Sequence, residues 1–328
     1  MKKALTVLSL ILLASAAIPM VASTAHAAYP DRAIRMVMPY PPGGGGDLLL
    51  RTLQPALEKQ LGQSIVIDYK TGAAGNIGAG DVARAAPDGY TLLMAPTNNY
   101  VINQYLFPTM GFDPLQSFAP ISLIAEQPYL LLVSAALPVK TYKDFEQYAK
   151  QHGATLNYGS PGAGTVPHIS GLMLSDYMGA KMTHVPYRGS QPGLQALATN
   201  ETQMFIASYG IAAGQINGDK ARALAVASKT RLKSLPDVPT TAEAGIPSGI
   251  VLGNWWGLAA PRGTNEAIVN RLAQAVKAVI ESPEIQQKFV EQGSISVANT
   301  PKEFTQVLQS EAALWKEIID KTGVTIGK

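Results

Sequence analysis

The 328-residue chain contains no cysteine and little charge of either sign. Without cysteine it forms no disulfide, so its stability has to come from a hydrophobic core, which a content of 47% hydrophobic residues supplies. Charged residues make up 15% of the chain, the formal charge is +3, and no tract of lysine or arginine occurs. A nucleic-acid-binding surface needs such a basic tract or patch. The composition therefore excludes that class of protein.

The chain begins with a segment typical of a secretory signal peptide, residues 1–27. Lys2 and Lys3 precede an apolar run, and small residues follow at Ala25 and Ala27. This order predicts an exported protein that is cleaved after Ala27. Because the two lysines leave with the signal, the charge of +3 falls to +1 in the mature chain.

Common motifs of nucleotide and hydrolase sites are also missing. GxxxxGK[ST], GxSxG and Ser-x-x-Lys do not occur, and Leu48 stands where a dinucleotide fingerprint would have its third glycine. These absences argue against a P-loop protein, an α/β-hydrolase, a β-lactamase and a dinucleotide enzyme. His168 and His184 are sixteen residues apart, with no acidic residue at ligand spacing near either. No metal or cofactor is predicted.

What the chain does contain is an alternation of short apolar runs with stretches of helical periodicity. The runs include IRMVMP, SIVIDY, YTLLMA and YLLLVS. This alternation predicts an α/β protein with parallel sheets. Leucine at every fourth position from Leu49 to Leu61, followed by Gly62, predicts a helix that ends near Leu61. The capping box TPKE at residues 300–303 predicts a C-terminal helix.

The length of the mature chain favours two domains, because it exceeds the usual size of a single core. Two segments have the character of crossings between domains, residues 126–129 and residues 253–261. Two crossings mean that the chain leaves one domain and later returns to it. We therefore expect a discontinuous lobe 1, residues 28–125 and 254–328, and a continuous lobe 2, residues 126–253.

Three glycine-rich loops follow predicted strands: YPPGGGGD, KTGAAGNIGAG and YGSPGAGTVPH. In open α/β sheets, ligands bind outside the carboxyl ends of the strands, where such loops gather. Glycine lets backbone N–H groups approach a ligand, and a following helix adds the positive end of its dipole. Gly43 to Gly46 are therefore a candidate cradle for a carboxylate or phosphate, with Asp47 as the helix cap. A tight turn alone explains the same glycines equally well.

Several motifs occur together and in order: YPDRAIRMVMPYPPGGGGDLLLR, GAAGNIGA, DGYTLL, NYGSPGAGT, HVPYRG and LPDVPTTAEAG. The set resembles the Bug family, the extracytoplasmic solute receptors of the tripartite tricarboxylate transporter system. The resemblance runs from Tyr29 to about Thr264 and continues more weakly through the C-terminal helices. It implies a two-lobed α/β periplasmic binding protein of the Venus flytrap type, each lobe a sheet flanked by helices, with two crossover segments. Such a receptor catalyses no reaction.

The resemblance also implies a ligand, partners and a site. The ligand is a small organic carboxylate held by backbone amides, hydroxyls and bridging waters, the partners are membrane transporter subunits, and the receptor is a monomer. In lobe 1 the implied ligand-binding residues are Tyr40, Gly43, Gly44, Gly45, Asn76 and Thr97. In lobe 2 they are Ser160, Gly164, Thr165, His168, Tyr187, Ser208 and Tyr209.

Two stretches depart from the family pattern. Lys70 stands where the family usually has arginine, and Ala207 and Ser208 stand where many members have an aspartate. Without that acid, an amino-acid ammonium group is poorly matched, so we expect a carboxylate without an amino group. Asp47 or Glu126 would be able to take the place of the missing acid.

Two other functions fit the same cleft. A sensor would present its closed form to a receptor rather than to a transporter, and the partner surface of a binding protein carries no motif that separates the two. An exported enzyme would use His168 as a base. His168 follows the loop GSPGAGT, where it either contacts a ligand or fixes its own loop.

Overall fold

The computed structural model describes residues 29–250, 253–324 and 326. The predicted signal peptide and its cleavage site after Ala27 lie outside these residues. In the part of the chain that is described, none of the helices has the length and apolar composition that a bilayer crossing requires.

Within the described residues, eleven strands form two sheets. They are β1 (Ile34–Met38), β2 (Ile65–Tyr69), β3 (Thr91–Pro96), β4 (Phe118–Gln127), β5 (Tyr129–Ser134), β6 (Asn157–Ser160), β7 (Thr183–Pro186), β8 (Met204–Ser208), β9 (Ala221–Val226), β10 (Asn254–Pro261) and β11 (Ile295–Ser296). The first sheet has the order β11-β4-β10-β3-β1-β2 and the second has the order β7-β6-β8-β5-β9. Each sheet has its own hydrophobic clusters.

Ten α-helices in the described part of the chain pack around these sheets. They are α1 (Gly45–Leu61), α2 (Asn76–Ala83), α3 (Asn103–Leu106), α4 (Tyr142–His152), α5 (Val166–Met178), α6 (Ser190–Ala198), α7 (Tyr209–Asn217), α8 (Glu266–Ile280), α9 (Pro283–Glu291) and α10 (Pro301–Thr322). The predicted end of α1 is confirmed, because Gly62 follows Leu61 with a left-handed φ of 73°. The predicted capping box of α10 is confirmed as well, with Thr300 and Glu303 bonded reciprocally.

The sheets are mixed, so the prediction of parallel sheets is wrong in part. β1 runs parallel to β2 and β3, but β10 is antiparallel to both β3 and β4. In the second sheet β6 is parallel to β7 and β8, whereas β5 is antiparallel to β8 and β9. β5 and β10 are the first strands that form after the chain has crossed from one sheet to the other. Their apolar runs carry no information on strand direction, which is why the sequence did not reveal it.

The chain passes between the sheets twice, and the two passages lie side by side. β4 ends at Gln127 and β5 begins at Tyr129, so Pro128 is the residue between them. The return passage reaches the first sheet at Asn254, which pairs with Gln127. The sheets are therefore joined by two neighbouring segments, which leaves room for a cleft between the loops of the first sheet and those of the second.

Candidate ligand-binding site

A cavity lies between the two sheets, at the carboxyl ends of β1, β3, β6 and β8. This inner cavity holds about 620 Å³ of empty space, part of it open to solvent. An outer cavity shares part of its lining with the inner one, so the two are chambers of one cleft. The shared residues are Tyr40, Pro41, Pro161, Thr165 and Gly189.

The glycine loop after β1 forms one wall of the inner cavity. Gly44 is the N-cap of α1, no side chain caps this helix end, and Gly44, Gly45 and Gly46 all line the cavity. The first N–H groups of a helix have no carbonyl partner within it, so those of Gly45 and Gly46 remain available. Side chains would not fit here. A Cβ on Gly46 would lie 2.3 Å from the ring of Trp256, and one on Gly45 would lie 2.5 Å from Oε1 of Gln127.

Asp47 is not the helix cap that the sequence predicted, because the helix begins two residues earlier, at Gly45. Its buried carboxylate accepts hydrogen bonds from the Gly43 N–H at 2.8 Å, from Nε of Arg51 at 3.0 Å and from the Tyr69 hydroxyl. Burial opposes ionisation, but these hydrogen bonds hold the pKa of the Asp47 carboxyl below its usual range. The carboxylate therefore fastens the glycine loop, and Gly43, whose N–H is occupied in this way, does not line the cavity.

Two helices of the second sheet begin at the same cavity. Gly189, with a φ of 106°, precedes α6 as its N-cap, and Ser208 is the N-cap of α7. Gly189, Ser190 and Ser208 line the inner cavity, and Ser208 is only 1% exposed. No side chain caps either helix. Within the described residues, the hydroxyls of Ser190 and Ser208 make no hydrogen bond, so both remain free to bind a ligand.

The starts of α1, α6 and α7 meet at one end of the inner cavity. Nε2 of Gln191 in α6 donates to the Gly43 carbonyl at 2.8 Å. Gly210 in α7 contacts Leu48 in α1 so closely that a Cβ on the glycine would lie 2.7 Å from Cδ2 of that leucine. We call this region the donor end: the N–H groups of Gly45 and Gly46 with the hydroxyls of Ser190 and Ser208. Three helix dipoles make it electropositive.

The rest of the inner cavity is mainly apolar. Its wall consists of Tyr40, Pro41, Pro96, Tyr129, Pro161, Pro167, Ile206, Ala207, Ile211 and Trp256. Trp256 packs edge-on against Tyr40 with ring centroids 6.1 Å apart, and its Nε1 donates to Gln127 at 2.8 Å. The Tyr40 hydroxyl donates to the carbonyl of Ala74, and burial raises its pKa, so the ring is neutral. No lysine, arginine or histidine occurs among the described residues that line this cavity.

The start of α5 also reaches the cavity, but its polar groups are occupied. Thr165 lines both chambers, and its hydroxyl donates to the Gly162 carbonyl at 2.7 Å. Nδ2 of Asn98 donates to the Gly164 carbonyl at 2.6 Å, and Oδ1 accepts the N–H of Val166 at 3.4 Å. Asn98 follows a strand of the first sheet, so these bonds cross the cleft and tie its two sides together.

His168 lies behind this loop and lines neither chamber. Its Nδ1 accepts the Gly164 N–H at 3.0 Å, which places the proton on Nε2, and its ring stacks on His184 with centroids 4.0 Å apart. Burial lowers the pKa of His168 to about 4; burial and the neighbouring His168 lower that of His184 to about 3. The hydrogen bond to Gly164 lies within the loop before α5, so it fits the second of the two roles considered for His168, a ring that fixes its own loop.

Five of the predicted ligand-binding residues line the inner cavity: Tyr40, Gly44, Gly45, Thr165 and Ser208. The others line neither chamber: Gly43, Asn76, Thr97, Ser160, Gly164, His168, Tyr187 and Tyr209. Most of their polar groups have partners inside the protein. The Thr97 hydroxyl, for example, accepts the N–H of Trp255, and the Tyr187 hydroxyl donates to Glu201 at 2.8 Å.

Gly46, part of the predicted cradle, lines the cavity as well. Sequence reasoning missed several other lining residues: Asn98, Gln127, Gly189, Ser190, Asn254 and Trp256. Ser190 was open to prediction, because the segment RGSQPG follows a strand and opens a helix, as the other site loops do. Asn98 directly follows the predicted Thr97. Gln127 and Asn254 lie at the two crossings and carry no local signal. No group of histidine, aspartate and glutamate in the described ranges is arranged to hold a metal ion.

Comparison with known proteins gives a consistent family assignment. The family described as "Tripartite tricarboxylate transporter family receptor" matches residues 49–324. The structure of the periplasmic binding protein BugD is 30% identical in sequence, with a TM-score of 0.85, and the match covers 91% of this chain and 100% of that one.

Two further similar structures were determined with carboxylates. Rpa4515 of R. palustris with adipate is 33% identical, with a TM-score of 0.87 and coverage of 91% of this chain and 100% of that one. MatC from Rhodopseudomonas palustris with bound malate is also 33% identical, with a TM-score of 0.82 and coverage of 89% and 100%. The two-lobed fold of periplasmic binding proteins is thereby confirmed. The chain belongs to the receptor family of the tripartite tricarboxylate transporters and is similar to its Bug members.

Proposed function

We propose that this protein is a periplasmic solute receptor that captures a small organic carboxylate between its two lobes and delivers it to the membrane subunits of a tripartite tricarboxylate-type transporter. The observation that carries the proposal is the donor end, where three helices begin and two serine hydroxyls are free. The adipate and malate named for two similar structures support a carboxylate as the ligand class.

The donor end suits a carboxylate for physical reasons. Helix N-termini present N–H groups and a positive partial charge, which together favour an anion. A buried carboxylate needs several hydrogen-bond donors to replace its water. The donor end provides two backbone N–H groups and two hydroxyls without a cationic side chain. We assign ligand binding to Tyr40, Gly44, Gly45, Gly46, Thr165, Ser190 and Ser208.

The lobes that close on the ligand are proposed to be residues 28–125 with 254–328, and residues 126–253. Hydrogen bonds cross the cleft from Gln191 to Gly43 and from Asn98 to Gly164, so the structure has its lobes in contact. A ligand that touches both lobes stabilises this closed arrangement by its differential affinity for it. The mature protein is proposed to start after Ala27, in the periplasm, and to act as a monomer.

We further propose that the receptor catalyses no reaction. The enzyme alternative requires a base in the cleft, and His168 lines neither chamber. The carboxylate of Asp47, which lines the inner cavity, is engaged by Gly43, Arg51 and Tyr69. Neither group is free to accept a proton from a bound ligand.

The test is thermal unfolding of the mature protein, refolded to remove carried-over ligand, against carboxylates, sugars, nucleotides and phosphates. A ligand at 100 times its dissociation constant adds about 2.7 kcal/mol to the free energy of unfolding, which raises the midpoint by several degrees. We expect such a shift with carboxylates. Shifts with sugars or nucleotides alone, or none with any carboxylate, would contradict the proposal.

A further inference from the structure

We infer that the ligand carries one carboxylate and an uncharged, largely apolar body, and that a second carboxylate or an ammonium group is rejected by the inner cavity. This inference rests on the proposed function and names the class of substrate for the same site. It follows from where the cavity has free hydrogen-bonding groups and where it has none.

Free donors are confined to the donor end. Apart from Asn254, Tyr129 and the two serines, the polar side chains in the lining are already hydrogen-bonded within the protein. Oε1 of Gln127 accepts the Trp256 Nε1–H at 2.8 Å, and its Nε2 donates to the Gly45 carbonyl at 3.2 Å. Oδ1 of Asn254 is buried without a hydrogen-bond partner among the described residues, but it is an acceptor and offers nothing to a carboxylate. Tyr129 pairs with Ser208 in the second sheet, so its hydroxyl lies on the same face of that sheet as the donor end. The bonds of Asn98 and Thr165 also stay inside the protein. One carboxylate can therefore be satisfied at one place.

A second anion site at the start of α5 is blocked by the sequence of that helix. The first N–H, of Val166, is occupied by Oδ1 of Asn98. The second position is Pro167, which has no N–H. The start of α5 is thus poor in donors. A second carboxylate would meet proline, isoleucine and aromatic side chains instead of hydrogen-bond partners.

An ammonium group is equally poorly matched. Asp47 is the one acidic residue among the described residues that line the inner cavity. Its carboxylate is already neutralised by Arg51 and hydrogen-bonded by Gly43 and Tyr69. Glu126, the other acid considered from the sequence, is exposed and lines neither chamber. A buried ammonium would therefore have no counter-ion.

The outer cavity offers a cationic side chain that a second carboxylate of the ligand would reach. Arg188 lines it, is exposed, and forms no ion pair with any described residue. A long dicarboxylate would reach this guanidinium only by extending through both chambers. Because an ion pair at this exposed position is screened by water, it compensates little for carrying a second charge past the apolar wall.

Calorimetric titration with three six-carbon acids separates these cases, because they differ only at the end away from the carboxylate. Hexanoate ends in a methyl group, adipate in a second carboxylate and 6-aminohexanoate in an ammonium. We expect the refolded mature protein to bind hexanoate roughly 100-fold more tightly than either charged analogue. The free-energy cost of an uncompensated buried charge is several times the difference that changes a dissociation constant tenfold. Binding of adipate or 6-aminohexanoate as tight as that of hexanoate would overturn the inference.

Two variants make the result specific. Ser208→Ala should weaken hexanoate roughly tenfold by removing a charge-assisted hydrogen bond, whereas Arg188→Ala should leave hexanoate binding unchanged. If adipate binds best and Arg188→Ala selectively abolishes this advantage, the ligand spans both chambers and the inference is wrong, although the proposed function stands. A protein that binds neither these acids nor any other carboxylate in the unfolding assay would overturn both.

Discussion

At the scale of single residues, the four glycines after β1 have separate roles. Gly43 gives its N–H to Asp47, which fastens the loop. Gly44 is the N-cap, and Gly45 and Gly46 bring the helix end against Gln127 and Trp256. Glycine is needed because of these close approaches more than for the turn itself. The alternative that the glycines serve only a tight turn therefore explains too little.

Gly46→Ala should destabilise the protein although alanine is the better helix former. The new Cβ would lie 2.3 Å from the ring of Trp256, which is 5% exposed and held by its hydrogen bond to Gln127, so the ring has little room to move. We expect a loss of about 1–3 kcal/mol in the free energy of unfolding, the usual effect of overpacking, and weaker ligand binding. Urea unfolding and calorimetry measure the two effects.

The matched control is Gly214→Ala in α7, where nothing lies within 4 Å of the added Cβ. There the substitution should be neutral or stabilise by up to about 1 kcal/mol, because alanine favours the helix. Equal stability of the two variants would contradict the role given to Gly46.

Because of the stacked pair His168 and His184, the folded protein should lose stability in mild acid. In the unfolded chain histidine has a pKa near 6.5. In the folded protein the pKa of His168 is lowered to about 4 and that of His184 to about 3, mainly by burial. As the pH falls below about 6.5, the unfolded state therefore binds protons first, and stability declines down to about pH 4. Above about pH 7 this contribution is complete and no longer changes.

The test compares thermal unfolding midpoints between pH 7.5 and 5. His184→Asn should be less stable at pH 7.5 and show a shallower decline, because one of the two titrating histidines is gone. His152→Gln is the control, since His152 is exposed at the end of α4, and it should keep the slope of the unmodified protein. A slope that does not differ between His184→Asn and the unmodified protein would show that the pair does not govern the acid response.

At the scale of elements, the four helices that begin at the inner cavity share an N-terminus without a side-chain cap. α4, α8 and α10 begin away from the cavity, and each has a side-chain cap. α9 begins away from the cavity and lacks one, but its Ser282 hydroxyl is occupied by the Val279 carbonyl. α1, α5, α6 and α7 begin at the cavity, and none has one. Ser208 occupies the N-cap of α7, where serine commonly bonds the helix, yet its hydroxyl makes no such bond. Uncapped N–H groups are what an anionic ligand requires.

The elements also show what the sequence was able to predict. α1 and α10 were predictable because leucine spacing, Gly62 and the TPKE box are local signals. The loops that carry the site were predictable because glycine-rich segments after strands are equally local. The sequence did not reveal that Asn98, and not Thr97, lines the cavity. The Thr97 hydroxyl accepts the N–H of Trp255, a residue distant in sequence. Which residue of a loop faces the cleft depends on such partners.

At the scale of the whole molecule, two neighbouring chain segments connect the two sheets, and the cleft lies between the loops of one sheet and those of the other. Asn254 pairs with Gln127, so both passages lie at one place, as a hinge requires. Beside the cavity, Nε2 of Gln191 bonds the carbonyl of Gly43 across the cleft. This hydrogen bond exists only while the two sides are together. It should therefore contribute to ligand affinity without touching the ligand.

Gln191→Ala tests this coupling, because Gln191 lines neither chamber and its loss leaves the donor end intact. Removing one hydrogen bond of about 0.5–1.5 kcal/mol from the closed state alone should weaken carboxylate binding by up to about tenfold, through faster dissociation. Stopped-flow kinetics and calorimetry measure both quantities. Gln195→Ala, one turn later on the same helix and also exposed, should change neither. If both variants behave alike, the contact between Gln191 and Gly43 does not hold the cleft closed.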